Sequence, residues 1–290
     1  MKVCIDPNAG VCTGVRRAIR LAEENLESGG EIYALGELIH NRREVERLAG
    51  LGLKTIEREQ LTGSNAVPAK NILVRTHGIP PQQQDELQRG SMNVIDATCP
   101  VVKRLQKKVS EQHLAGCQIV IFGKEHHPEV SGLLGYCDNK AVLIQDEKDF
   151  QKIDRKRKTF LLSQTTMPQP AFLALAEKLK AIVKTLEIHD STCKQINDRY
   201  EDIKAFSAQV NVVLFVGGKN SSNSKALYQA CKSVNDNSYH VESAEDIDFS
   251  WFSQNDIVGV SGGASTPEWQ LAKIKNYLES TALKGSSYNN

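Results

Sequence analysis

Three cysteines each stand 28 positions before a residue able to bind an anion: Cys12 before His40, Cys99 before His127, and Cys193 before Ser221. Each cysteine follows a short apolar run, and each partner follows an apolar run that ends near a glycine. Equivalent positions in three repeats favour a shared ligand role over the ordinary one of a free cysteine, a small buried hydrophobe. Three thiolates with no histidine or carboxylate at equivalent positions suit a soft centre, iron–sulfur before zinc. Zinc on the same three thiolates stands as the second reading at this level. A cubane needs four ligands, so three protein thiolates leave one iron open to substrate, as Lewis-acid chemistry requires.

The other four cysteines read as structural. Cys137 and Cys231 also align, each 38 residues after Cys99 or Cys193, but the matching position after Cys12 is Gly50. That position wants a small residue, and it lies about ten residues down a helix, roughly 15 Å from the loop. Cys4 and Cys117 have no counterparts. The count is odd and scattered, and there is no CxxC pair, which argues against a disulfide framework and a zinc ribbon.

His40, His77 and His127 fall on strand-end loops, whereas His113, His189 and His240 do not. Ser221, Asn223 and Ser265 follow glycines at strand ends leading into helices, which suits an anion cradled by helix N-termini. Gly218-Lys219 has the ending of a phosphate loop, but the glycine required five residues earlier is Val213, and there is no GxGxxG. Glu129 follows Pro128 at a helix start. It complements the dipole there, or serves as a proton donor whose carboxyl a bound anion and a thiolate cluster would hold protonated.

These residues need strands that end at one edge. Val3–Asp6, Glu31–Leu35 and Asn71–Val74 form the strands of a first unit. Val94–Asp96, Gln118–Phe122 and Thr159–Leu162 repeat them, and Glu187–Asp190, Val212–Val216 and Ile257–Val260 repeat them again. Amphipathic stretches separate the strands, Val15, Ile19 and Leu26 marking the first. Apolar strands without polar alternation, alternating with helices, predict parallel α/β layers with functional groups beyond the carboxyl ends. The expectation is an α/β fold of three pseudo-threefold αβα domains, 1–92, 93–186 and 187–290, around a central cluster and substrate pocket. The tail Lys284–Asn290 is polar and reads as frayed.

With a formal net charge of +1, nothing favours a nucleic-acid groove or a charged membrane surface. No apolar run approaches the ~20 residues that span a bilayer. The opening Met1-Lys2-Val3-Cys4-Ile5 reads as a chain without a leader, hence cytoplasmic, or as a mature organellar form.

From about residue 3 to residue 280 the chain resembles the 4-hydroxy-3-methylbut-2-enyl diphosphate reductases. The resemblance is carried by Gly10-Val11-Cys12-Thr13-Gly14-Val15, His40-Asn41, Thr76-His77-Gly78, Asp96-Ala97-Thr98-Cys99-Pro100 and His127-Pro128-Glu129-Val130. It continues in Gln164-Thr165-Thr166, Lys219-Asn220-Ser221-Ser222-Asn223-Ser224 and Gly263-Ala264-Ser265-Thr266-Pro267. It implies one 4Fe–4S cluster per chain on Cys12, Cys99 and Cys193, with an open apical iron for the substrate hydroxyl. It implies an allylic diphosphate held by His40, His77, His127, Ser221, Asn223 and Ser265, with Ser222 adjoining. Glu129 would deliver protons, and Thr165 would help to hold the hydroxyl and the Glu129 network. The implied reaction is the two-electron reductive dehydroxylation that ends the methylerythritol phosphate route, giving isopentenyl and dimethylallyl diphosphates. Ferredoxin or flavodoxin would supply the electrons.

The segment after the third cysteine departs from that resemblance. The family often has Cys-x-Ala-Thr followed by Arg-Gln, and this chain has Cys193-Lys194-Gln195-Ile196-Asn197-Asp198-Arg199-Tyr200. Two rival readings accompany the reductase. A quinolinate-synthase-like cluster dehydratase shares one cysteine per αβα unit, but the His-Pro-Glu and Asn-Ser-Ser-Asn-Ser motifs argue against it. A non-enzymatic iron–sulfur redox sensor would need a partner-binding basic or amphipathic segment, and none is evident.

Overall fold

The computed structural model describes residues 1–61, 67, 70–90 and 92–286. Twelve strands are present among them. They are β1 (Lys2–Ile5), β2 (Ile32–Leu35), β3 (Lys54–Ile56), β4 (Asn71–Val74), β5 (Asn93–Asp96), β6 (Gln118–Phe122), β7 (Val142–Ile144), β8 (Lys158–Ser163), β9 (Thr185–His189), β10 (Val212–Val216), β11 (Ser238–Val241) and β12 (Ile257–Gly262). The α-helices are α1 (Thr13–Glu27), α2 (Arg42–Gly50), α3 (Pro81–Arg89), α4 (Pro100–Leu114), α5 (Pro128–Gly135), α6 (Gln169–Lys180), α7 (Lys194–Ser207), α8 (Ser222–Lys232) and α9 (Glu268–Ser286). Pro81, Pro100 and Pro128 open α3, α4 and α5, where a missing N–H costs nothing. The helix α9 runs through Ser286, and the rest of the polar tail lies outside the described residues. No helix among the described residues is long and apolar enough to cross a membrane.

The strands form three four-stranded sheets, ordered β3-β2-β4-β5, β7-β6-β8-β9 and β1-β12-β10-β11, with every pairing parallel. The α/β expectation is met because the central strands β6 and β10 are buried along their whole length and so must be covered on both faces. The residues of β10 alternate accordingly. Val212, Leu214 and Val216 pack with Leu271, Ile274 and Leu278 of α9, while Val213 and Phe215 pack with Ile203 of α7 and Leu227 and Cys231 of α8.

Sheet membership is offset from the sequence repeats by one strand. The short strands β5 and β9 join β4 and β8, and β1 joins β12. The reason is connectivity: α3 and α6 are crossovers that return the chain to the sheet it has just left, as a βαβ unit must. The boundaries expected near 92 and 186 therefore cut within such units, and β9 itself spans the second. The edge strands β3, β7 and β11 escape the sequence pattern because β3 and β7 have only three residues each and β11 interleaves Ser238 and His240 with its apolar residues.

By compactness the chain divides into two units. One comprises Met1–Arg16, Ile39–Arg47 and the chain from Lys194 onward, and contains the β1-β12-β10-β11 sheet. The other comprises Arg17–Leu38 and Leu48–Cys193, and contains the other two sheets.

Candidate active site

The strand offset explains how each candidate cysteine is held. Every cysteine loop follows a sheet-edge strand and is pinned to the loop that ends the neighbouring strand. The Cys99 N–H donates to the Thr76 carbonyl (2.9 Å), the Cys193 N–H to the Thr165 carbonyl (2.8 Å), and the Cys12 N–H to the Ala264 carbonyl (2.9 Å). Each anchoring loop carries candidate ligands for substrate: His77 follows Thr76, Thr165 is itself a candidate, and Ser265 follows Ala264. An aspartate at the end of each edge strand shapes the turn toward the cysteine. The carboxylates of Asp6, Asp96 and Asp190 accept the N–H groups of Asn8, Thr98 and Thr192, at 2.9, 2.9 and 3.0 Å. This Asx device is a missed feature, legible as an aspartate closing each short strand.

No disulfide involves any of the seven cysteines. Cys12, Cys99 and Cys193 are half-buried on loops, whereas Cys117, Cys137 and Cys231 are buried. Burial pushes the Cys137 and Cys231 thiols up to about 11, so in the metal-free chain they stay protonated near neutrality. Cys137 lies just past the end of α5 rather than within a helix, with its Sγ against the Leu133 and Leu134 carbonyls. Cys4 lies inside β1 in register with Gly259. Cys12, Cys99 and Cys193 thus each stand on a loop after an edge strand, one such strand in each sheet.

The second unit builds an acid site. His127 caps α5, its Nδ1 accepting the Glu129 N–H at 3.2 Å, so the neutral ring carries its proton on Nε2. The ring stands edge-on to that of His77, with centroids 5.2 Å apart. Glu129 is 1% exposed. Its Oε1 accepts the Thr165 N–H at 2.6 Å, and its Oε2 accepts the Thr165 hydroxyl at 2.7 Å. Burial raises this carboxyl from 4.5 to about 7, against the opposing pull of the two Thr165 hydrogen bonds. Desolvation therefore outweighs both Thr165 hydrogen bonds. Through Thr165, Glu129 is also tied to Cys193. Gln164 holds the same loop, its Oε1 accepting the Lys124 N–H (3.0 Å) and its Nε2 donating to the Thr166 hydroxyl (2.6 Å).

The first unit holds the candidate anion ligands Ser221, Ser222, Asn223 and Ser265. Ser221 caps α8, with its Oγ accepting the Ser224 N–H at 3.2 Å, and Ser222 opens the helix. Asn223 is 6% exposed. Its Oδ1 accepts the Ala264 N–H at 2.9 Å, which aims the amide, and its buried Nδ2 has no hydrogen-bond partner among the described residues. A buried donor with nothing to donate to is costly, and a bound anion would satisfy it. The Ser265 hydroxyl donates to the His40 carbonyl at 3.3 Å. That carbonyl lies 2.7 Å from where a side chain on Gly218 would begin, so only glycine fits there. Asn41 is buried and structural: it caps α2 through the Glu44 N–H and donates to the Ser265 carbonyl (2.8 Å) and to Gln270 (2.9 Å).

The family model described as LytB protein matches residues 3–279. The chain belongs to the LytB protein family. Among LytB relatives, the 4-hydroxy-3-methylbut-2-enyl diphosphate reductase of Chloroherpeton thalassium is 36% identical over 309 residues, covering 97% of each chain. That of Aquifex aeolicus is 36% identical over 281 residues and 96% of each chain. The solved structure of an (E)-4-hydroxy-3-methyl-but-2-enyl diphosphate reductase, described as the terminal enzyme of the non-mevalonate pathway, is 35% identical. It superposes with a TM-score of 0.73 over 97% of this chain and 100% of its own. The Plasmodium falciparum reductase structure gives 0.84 at 26% identity, over 96% of this chain and 87% of its own. The LytB fold is thus shared across full-length relatives.

Proposed function

We propose that this chain is a 4-hydroxy-3-methylbut-2-enyl diphosphate reductase. It adds two electrons and two protons to the allylic alcohol and releases water, giving isopentenyl and dimethylallyl diphosphates. The observation that carries the reading is the match to reductases of this name along nearly the whole chain, at 36% identity.

The residues supply complementary parts. Cys12, Cys99 and Cys193 are assigned as ligands of a 4Fe–4S cluster, supported by their shared loop anchors and partial exposure. When bound, that group supplies electrons and an open iron position for the substrate hydroxyl. His40, His77, His127, Ser221, Ser222, Asn223 and Ser265 are assigned to the diphosphate, the Asn223 Nδ2 being the donor already in need of an acceptor. The neutral His127 ring offers an Nε2–H donor.

Glu129 holds a proton near neutrality because it is buried, and delivers it so that the hydroxyl leaves as water. Thr165 suits either charge state: its hydroxyl donates to the carboxylate, and can rotate to accept from the carboxylic acid. Its N–H serves Oε1 in both. Electrons come from a ferredoxin- or flavodoxin-type donor.

The test is anaerobic turnover with a reduced viologen dye. Dye oxidation coupled to both isomeric diphosphates is expected. Cluster-replete protein that leaves the dye reduced in the presence of the allylic diphosphate would refute the reductase reading and favour a redox-neutral dehydratase or a sensor.

A further inference from the structure

One buried cation in the first unit is not used by the reaction described above. Arg199 lies on α7 and is 7% exposed. Its Nη2 donates to the carbonyl of Gly262, the last residue of β12, at 2.8 Å, and lies 3.6 Å from Asp6 Oδ2. Asp6 Oδ2 also accepts the Ser261 hydroxyl at 2.6 Å. The Arg199 Nε and Nη1 atoms are buried without a hydrogen-bond partner among the described residues.

A guanidinium buried with two idle donors and one carboxylate neighbour is a poor way to gain stability. Desolvation of the charge and of those donors offsets most of the attraction, and an apolar side chain of similar volume would often serve as well. What Arg199 does achieve is junction. It links α7, the end of β1 and the end of β12. Two residues past Gly262, Ala264 holds the Cys12 N–H through its carbonyl and the Asn223 Oδ1 through its own N–H. A fixed Gly262 carbonyl thus fixes the peptide that orients both a candidate cluster ligand and the idle Asn223 donor.

We infer that Arg199 is a positioning residue, which sets the Cys12 loop and the Asn223 amide through the Gly262 carbonyl and Asp6. Its consequence for ligands rests on the functional reading above; the positioning itself does not. The single nitrogen Nη2 meets both the Gly262 carbonyl and the Asp6 carboxylate, and a lysine side chain, one bond shorter, keeps the charge without carrying a nitrogen to that point.

The experiment compares the full-length apo chain with Arg199→Lys and with the double variant Asp6→Asn/Arg199→Met, which leaves no unpaired buried carboxylate. Residue-resolved amide exchange is read at Cys12, Ala264, Cys99 and Cys193. Faster exchange at Cys12 and Ala264 is expected in both variants, by about tenfold for one lost charge-assisted hydrogen bond, with Cys99 and Cys193 unchanged. Unchanged exchange at Cys12, or equal acceleration at all three cysteines, would overturn the inference. In a second arm, inorganic diphosphate binding should weaken in both variants. A wild-type chain that binds no diphosphate would count against the anion reading alone, and exchange at Cys12 would still decide the role of Arg199.

Discussion

Replacing Glu129 with glutamine isolates the energetic signature of the proposed proton donor. The folded carboxyl titrates at about 7 rather than 4.5 because it is buried. Between those two pH values the unfolded chain has released its proton while the folded chain has kept it. Stability therefore falls as pH rises through this window: the contribution is fully present below 4.5 and is lost above about 7. The difference corresponds to about 3 kcal/mol, at ~1.36 kcal/mol per pH unit. Glutamine has nearly the same shape and can satisfy both contacts, its Oε1 accepting the Thr165 N–H and its Nε2 donating to the rotated Thr165 hydroxyl. The variant should fold and lack this titration. Urea unfolding of both apo chains from pH 4.5 to 8.5 gives the difference curve, in which groups titrating alike cancel. Wild type should lose about 3 kcal/mol relative to Glu129→Gln across that range. Parallel curves would mean that Glu129 ionises normally in the folded chain, and the proton-donor argument would fail with it. Turnover of the reconstituted variant should fall at least ~100-fold, in keeping with loss of a general acid.

Three other perturbations probe separate parts of the site. Thr165→Val keeps the N–H donor but removes a hydroxyl that lowers the Glu129 carboxyl, so the alkaline limb of the pH–rate profile should move upward; a downward move would contradict the assigned cause. Asn223→Asp preserves the acceptor for the Ala264 N–H while removing the idle donor and adding negative charge. Calorimetry with inorganic diphosphate should show at least ~10-fold weaker binding, and equal binding would remove Asn223 from the anion site. Gly78→Ala forces a side chain onto a residue at φ +71°, where its Cβ would crowd Gln106 Nε2 and lie 3.0 Å from Thr98 Cγ2. Thermal unfolding should show a loss of about 2 kcal/mol or more, and a stability equal to wild type would deny that the His77 loop is held in this form.

The sheets were legible because Val212–Val216 and Ile119–Phe122 are unbroken apolar runs, a pattern that a strand covered on both faces requires. Which sheet a short strand joins was not legible. Val94–Asp96 looks like the opening of a new repeat, and only the α3 crossover returns it to β4. The candidate ligands were legible as types at repeated spacing, but their supports were not. Nothing in the local sequence says that Thr165 would present its carbonyl to Cys193 and its N–H and hydroxyl to Glu129. Nor does it say that Asn41 would be spent on capping α2 and holding Ser265, or that Arg199 would meet Asp6 across 193 residues of chain. Those pairings are long-range and set by the sheets. The strength of desolvation at Glu129 likewise depends on burial that the residue's polar, helix-start position conceals.

The proposed cluster rests on the thiols of Cys12, Cys99 and Cys193. Iron, sulfide and visible absorbance of the anaerobically reconstituted chain, measured beside the Cys12→Ser, Cys99→Ser, Cys193→Ser and Cys137→Ser variants, address that directly. The expected result is about four iron and four sulfide per chain in wild type and in Cys137→Ser, with the chromophore lost from each of the other three. Zinc without sulfide in the wild type, or an unchanged chromophore in Cys193→Ser, would contradict it.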